Sequence, residues 1–154
     1  MINNIPAGFH GSYVRGYQLF DYDYVAADEK ANPLSIGSFA CKGTEDLQAV
    51  GQKGEGEVIG ILPWQGYIGY SCGRNGEIAP GTRLMIDIGT DCVYAISIED
   101  GAACEKGDYI GIKKDDGSLA FNSDPTQVST GDYKPTGYRV LSKHDLIAHI
   151  KRGK

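Results

Sequence analysis

The sequence predicts an all-β fold, a single-domain β-sandwich or small β-barrel with an extended N-terminal arm. Three observations predict it. Between Glu77 and Phe121 short apolar runs alternate with turn dipeptides at Pro80-Gly81, Asp100-Gly101, Lys106-Gly107 and Asp116-Gly117, and the runs are too short for helices. Glycine supplies 22 of 154 residues, roughly twice its usual share, which fits a chain of many tight turns. Apolar side chains recur at every second position, as in Cys92, Tyr94, Ile96 and Ile98, the period of a strand with one buried face. The length suffices for one core, and no stretch reads as a linker, so one domain is expected.

Residues 1–33 differ from the remainder, 34–154, which reads as the β-rich domain. In the first segment Phe9, Tyr13, Tyr17, Phe20, Tyr22 and Tyr24 are scattered among glycines and acidic residues with neither period two nor helical spacing. Burying such a ring is worth roughly 1.5–3 kcal/mol, so the arm is expected to lie along its own body or along a neighbour. The strand pattern begins with Leu34 and Ile36 and runs to Phe39 and Cys41. Glu45 to Val50 is too short for a helix. Gly51, Gly54 and Gly56 lack the GxGxxG and GK[ST] spacings of phosphate loops and read as a flexible hairpin loop. Val58 to Leu62 is an apolar run ended by Pro63, after which Trp64, Tyr67 and Tyr70 form an aromatic segment, either a strand covering one end of the core or a contact patch.

Leu84, Ile86 and Ile88 share one strand face, and the Cys92 to Ile98 alternation follows. Ile110 and Ile112 precede an Asp116-Gly117 hairpin to Leu119 and Phe121. Residues 122–136, rich in Ser, Thr, Asp and Pro, read as a long loop suited to contact. Tyr138 and Val140 predict a strand that resumes after a bend, although Ser142 and Asp145 could instead cap a short helix carrying Leu146, Ile147 and Ile150.

Composition excludes several functions. Fifteen Lys and Arg against twenty Asp and Glu give a net charge of −5, with no electrostatic footprint for nucleic acid or anionic lipid. No apolar stretch is long enough to span a bilayer and the N-terminus lacks the order of a signal peptide, so a soluble, non-exported chain is expected. Cys41, Cys72, Cys92 and Cys104 include no close pair of the kind that binds zinc or cycles a dithiol, and they read as small apolar residues. His10, His144 and His149 are far apart and none stands near a cysteine in ligand spacing. Asp21, Asp23 and Asp28 open like a calcium loop, but Ala26 occupies the turn glycine's position and Asn32 that of the bidentate glutamate. No catalytic residues, metal or cofactor are therefore expected, and the chain reads as a non-enzymatic binding or structural protein.

The stretch "EIAPGTRLMIDIGTDCVYAISIEDGAACEKGDYIGIKKDDGSLAF" carries a characteristic order. An Ile-x-Pro-Gly turn leads to a strand, a glycine turn leads to a second, and a Gly-Asp entry to a third strand precedes the Asp-Gly hairpin. It resembles the capsid decoration, or structural cement, proteins of tailed bacteriophages, with weaker likeness upstream in "SIGSFACKG" and "GEGEVIGIL" and downstream in "KPTGYRVLSK". The tyrosine-rich arm and the Trp64 segment depart from the pattern. The resemblance implies a β-rich protein made in the bacterial host cytoplasm that binds the outer surface of a mature icosahedral head. Its partners would be the major capsid protein and further copies of itself, as a trimer more often than a dimer, with no nucleic acid, membrane or cofactor involved. The residues expected to make capsid or subunit contacts are Tyr13, Tyr17, Phe20, Tyr22, Tyr24, Trp64 and Tyr67, chosen as aromatics outside the regular strands. Two other readings remain: a carbohydrate-binding module with a platform of Trp64, Tyr67 and Tyr70, and a small hydrolase using Cys or His chemistry.

Overall fold

Twelve β-strands and one 3₁₀ turn make up a computed structural model that describes residues 8–64 and 76–153. The strands are β1 (Tyr13–Tyr17), β2 (Phe20–Asp21), β3 (Val25–Ala26), β4 (Phe39–Lys42), β5 (Gln48–Val50) and β6 (Val58–Ile61) in the first half. The second half holds β7 (Ile86–Asp87), β8 (Asp91–Ser97), β9 (Tyr109–Lys113), β10 (Leu119–Asn122), β11 (Tyr133–His144) and β12 (Ile147–Arg152). Two six-stranded sheets result, one ordered β1-β8-β12-β11-β9-β10 and the other β2-β7-β6-β4-β5-β3. The all-β expectation holds, and both of its variants are represented. The sheets face each other as a sandwich, while the second curls toward a barrel because the Leu84 and Ala26 amides donate to Tyr24 and Thr82 carbonyls and Val25 bridges Arg83.

Two cores follow from this curl. The larger lies between the sheets, where Cys92, Tyr94, Ile96 and Ile98 meet Ile110, Ile112, Tyr138, Val140 and Ile150 from one side and Phe39, Cys41 and Ile61 from the other. The Phe39 and Tyr138 rings meet at a tilt of 57°, with centroids 5.0 Å apart, across the gap. The smaller fills the curled sheet with Leu34, Ala40, Ile59, Leu62, Leu84 and Ile86. Strand β4 serves both, its alternate side chains Phe39 and Cys41 facing one core and Ala40 the other.

Several predicted features sit elsewhere than the sequence suggests. The glycines at 51, 54 and 56 do not close a hairpin, because β5 and β6 both pair with β4 and the loop crosses over it. Asn32 fixes that crossing, its amide donating to the Gly51 and Lys53 carbonyls while its oxygen accepts from the Lys53 amide. Residues 122–136 are not one long loop: Asp124 caps the 3₁₀ turn Pro125–Val128 through the Thr126 amide, and β11 has begun by Tyr133. Pro135 enters β11 at a register irregularity, where the Thr136 hydroxyl donates to the Ile110 carbonyl and accepts from the Tyr138 amide. The C-terminal segment is a hairpin of β11 and β12, with Asp145 at φ 58 in its turn. Asp116-Gly117 does close β9 on β10.

Polar groups, one part-buried and one buried, join the sheets. Arg152 on β12 donates from Nη1 to the Ile59 and Ile88 carbonyls beside the other sheet. Lys134 reaches across to the Gly56 carbonyl at 2.8 Å and the Cys41 sulfur at 3.5 Å. Cys41, Cys92 and Cys104 are buried free thiols, and burial raises all three above the usual range, Cys92 to about 12. Cys72 lies outside the described residues.

Alkylation of the native protein at neutral pH should therefore spare Cys41, Cys92 and Cys104 and modify them only after unfolding, as peptide mass mapping would show. Ile96→Ala, which removes a fully buried side chain from the inter-sheet core, should cost about 2–5 kcal/mol in denaturant unfolding.

Candidate interaction surface

Strand β1 is one of the first sheet's two edges among the described residues, the other being β10, and it pairs antiparallel with β8 on one side only. After Tyr17 the chain passes through Gln18 and Leu19 and crosses to the second sheet, where β2 pairs with β7. Residues 13–21 thus border the opening between the sheets along one flank. The described part of the N-terminal segment lies along its own body.

A buried carboxylate sets this crossing. Asp87 on β7 is 1% exposed and accepts from the Tyr94 hydroxyl at 2.7 Å, the Gly89 amide at 2.8 Å and the Leu19 amide at 3.4 Å. Gln18 completes the group by donating from Nε2 to the Tyr94 hydroxyl at 3.0 Å. Burial, followed by the hydrogen bond to Asp87, raises the Tyr94 phenol far above its usual range, so it stays a donor. The two residues leading into and out of the crossing are therefore held by polar contacts in the gap between the sheets.

The edge itself is shaped by a bulge. Register shifts between Tyr13 and Arg15, and Gly16 opposite Cys92 has φ 100. A Cβ there would stand 1.9 Å from the Asp91 carbonyl oxygen, so only glycine lets β1 approach β8 at this point. Register places Tyr13 beside Tyr94, on the face toward the gap, with the rings edge-on at 6.5 Å. Tyr17 pairs with Asp91 and stands 82% exposed.

Leu47 and Leu146 apart, every exposed large apolar side chain among the described residues lies on residues 9–22 or touches them. Phe9, Tyr13, Leu19, Tyr22 and Trp64 are each about half exposed. The Trp64 ring meets Phe9 edge-on at 5.3 Å and its amide donates to the Gly11 carbonyl. At about 150–250 Å² per large side chain, these residues and Tyr17 show roughly 700 Å² to solvent.

Of the residues expected to make contacts, the fold brings Trp64 to the same edge as Tyr13 and Tyr17. Phe20 is half-buried against Tyr22, and Tyr24 is partly drawn into the smaller core. Tyr67 lies outside the described residues, as does Tyr70. Sequence reasoning missed Leu19, which carries no pattern signal, and the supporting group of Gln18, Asp87 and Tyr94. A lone Asp inside the apolar run "LMIDI" was the available sign of a buried, bonded carboxylate.

No family model matches the chain, and no curated protein matches it in sequence. The solved structure "The capsid of Myoviridae Phage XM1" contains a chain with a similar fold, at a TM-score of 0.59 and 14% identity. The likeness covers 100% of this chain and 95% of that one. At this identity it concerns the fold.

Asp87→Ala, which removes the acceptor of the buried Tyr94 hydroxyl and frees the Leu19 amide, and Tyr94→Phe, which leaves a buried carboxylate oxygen without its donor, should each cost about 1–3 kcal/mol. In a double-mutant cycle by denaturant unfolding the pair should fall short of additivity by about 0.5 kcal/mol or more.

Proposed function

We propose that this chain is a non-enzymatic structural protein of a tailed-phage head, a decoration protein that binds the outer surface of the mature capsid and stabilises contacts between capsomers. The observation that carries the reading is the fold likeness to a chain of a phage capsid structure over all of this chain and 95% of that one. The sequence order from Glu77 to Phe121 and the aromatic flank beside β1 support it independently.

In this reading the arm, residues 1–33, supplies most of the contact, with Tyr13, Tyr17, Phe20, Tyr22 and Tyr24 joined by Trp64 and Tyr67. The partners are the major capsid protein and further copies of the chain, assembled as a trimer. A protein that binds the expanded shell and not its separated subunits stabilises the shell by mass action. Many copies with several contacts each add avidity, because every contact after the first is intramolecular. Exposed aromatic side chains suit the task, since tyrosine and tryptophan offer large contact area at low conformational cost. No cofactor, nucleic acid or membrane takes part.

Purified protein mixed with mature heads that lack it should co-sediment with them, leave immature shells unbound, and raise the temperature at which the heads release their contents. Tyr17→Ala and Trp64→Ala, at exposed positions outside both cores, should each weaken head binding by about tenfold or more while leaving the unfolding midpoint nearly unchanged. Failure to bind any head, together with saturable binding to immobilised glycans, would replace this reading with the carbohydrate-binding one.

A further inference from the structure

The short turn at residues 9–12, which carries Phe9 against Trp64, is held to the body by one histidine in addition to its backbone bonds. The backbone contribution is a Gly11 amide donating to the Ala95 carbonyl, an Ala95 amide donating to the Ser12 carbonyl and a Trp64 amide donating to the Gly11 carbonyl. The side-chain contribution is His10, whose Nδ1 accepts from the Ser97 amide at 2.9 Å. A ring nitrogen accepts only when it bears no proton, so this bond belongs to the neutral imidazole with its hydrogen on Nε2. The ring rests on Gly37, where a Cβ would stand 2.3 Å from the His10 Cδ2. Gly37 has φ 86, and its lack of a side chain is what opens the seat.

We propose that His10 is a pH-sensitive latch that holds the 9–12 turn, and with it the Phe9–Trp64 ring pair, in place at neutral pH and releases it in mild acid.

Protonation puts a second N–H on the ring at the atom facing the Ser97 N–H, so a hydrogen bond becomes a contact between two donors. The ring then has no reason to stay on Gly37, and the turn keeps only its backbone bonds. The surroundings do little to favour the cation. The ring borders a cavity of about 400 Å³ lined by the end of β8, the 35–37 turn, Gln52, Ala102 and the β9–β10 hairpin. Glu99 is the one other titratable side chain among those lining residues. On the hairpin, the Asp116 carboxylate is engaged by the Ser118 amide and hydroxyl. Burial lowers the His10 pKa from its usual value of 6.5. The sign follows: the folded state binds the proton less readily than the unfolded chain, so the latch contributes in full above pH 6.5 and is lost as pH falls through the depressed value. The latch is a property of the chain alone and stands whether or not this flank meets a capsid.

Trp64 is the chain's only tryptophan, so its emission reports on the ring pair in the full-length protein. Between about pH 8 and about pH 5 the wild type should show one transition in Trp64 emission, with its midpoint below the ordinary imidazole value, while far-UV circular dichroism stays constant. His10→Gln, whose amide oxygen accepts a hydrogen bond and does not titrate, should keep the high-pH emission throughout. His10→Ala should show the acid-form emission at every pH. An NMR titration of the Ser97 amide in the wild type should follow the same midpoint and serves if the alanine variant fails to fold. A flat wild-type titration, or a transition that persists in His10→Gln, would overturn the proposal.

Discussion

The buried carboxylate of Asp87 is the constraint on which the arrangement of this protein depends. It stands on a two-residue strand of the curled sheet, accepts from Tyr94 on β8 of the opposite sheet, and accepts again from the backbone where the N-terminal segment crosses between them. A carboxylate buried to this degree is tolerated only when its oxygens are bonded, so the sheets and the crossing segment must reach their positions together. Apolar packing draws the two sheets into contact but is indifferent to small slides between them. The directional bonds at Asp87, with Arg152 and Lys134 reaching across elsewhere, select one relative position.

That selection has a consequence at the surface. The Gln18 side chain and the Leu19 amide bond to this group, while the side chains of Tyr13, Tyr17, Leu19 and Tyr22 stand out of the flank. The bulge between Tyr13 and Arg15 shifts the register of β1, and Gly16 lets it approach β8 closely. The exposed rings thus stand on a well-anchored strand edge. An exposed edge with aromatic side chains is a liability for a solitary protein, and it becomes an asset once a partner covers it. The whole-length fold likeness to a phage capsid chain at 14% identity is consistent with a scaffold of alternating strands and glycine turns that tolerates wide replacement of side chains.

Much of the fold was legible in the residues. The alternation at Cys92, Tyr94, Ile96 and Ile98 gives β8 its core face, the burial of Cys92 followed from it, and Asp116-Gly117 marked the turn that joins β9 to β10. Where reading failed, a local pattern had a non-local outcome. The glycines at 51 to 56 look the same whether they close a hairpin or cross over β4. Pro135 argues against a strand until Thr136 supplies the missing ladder contact. The aromatic character of the flank was legible too, but Leu19 and the support from Asp87 were not.

The residues alone specify an all-β chain, the inward-facing positions of β8 and β9, and thiols at 41, 92 and 104 that serve as small buried groups. Those properties are set by side-chain period and turn chemistry, which act over a few residues. Only the tertiary structure decided that β5 and β6 flank β4, that β1 forms a free edge, that Trp64 meets Phe9, and that His10 seats on Gly37. Strand pairing joins residues far apart in the chain, and many registers satisfy the same alternation. The choice among them rests on the packing and hydrogen bonding of the whole molecule, which no local pattern contains.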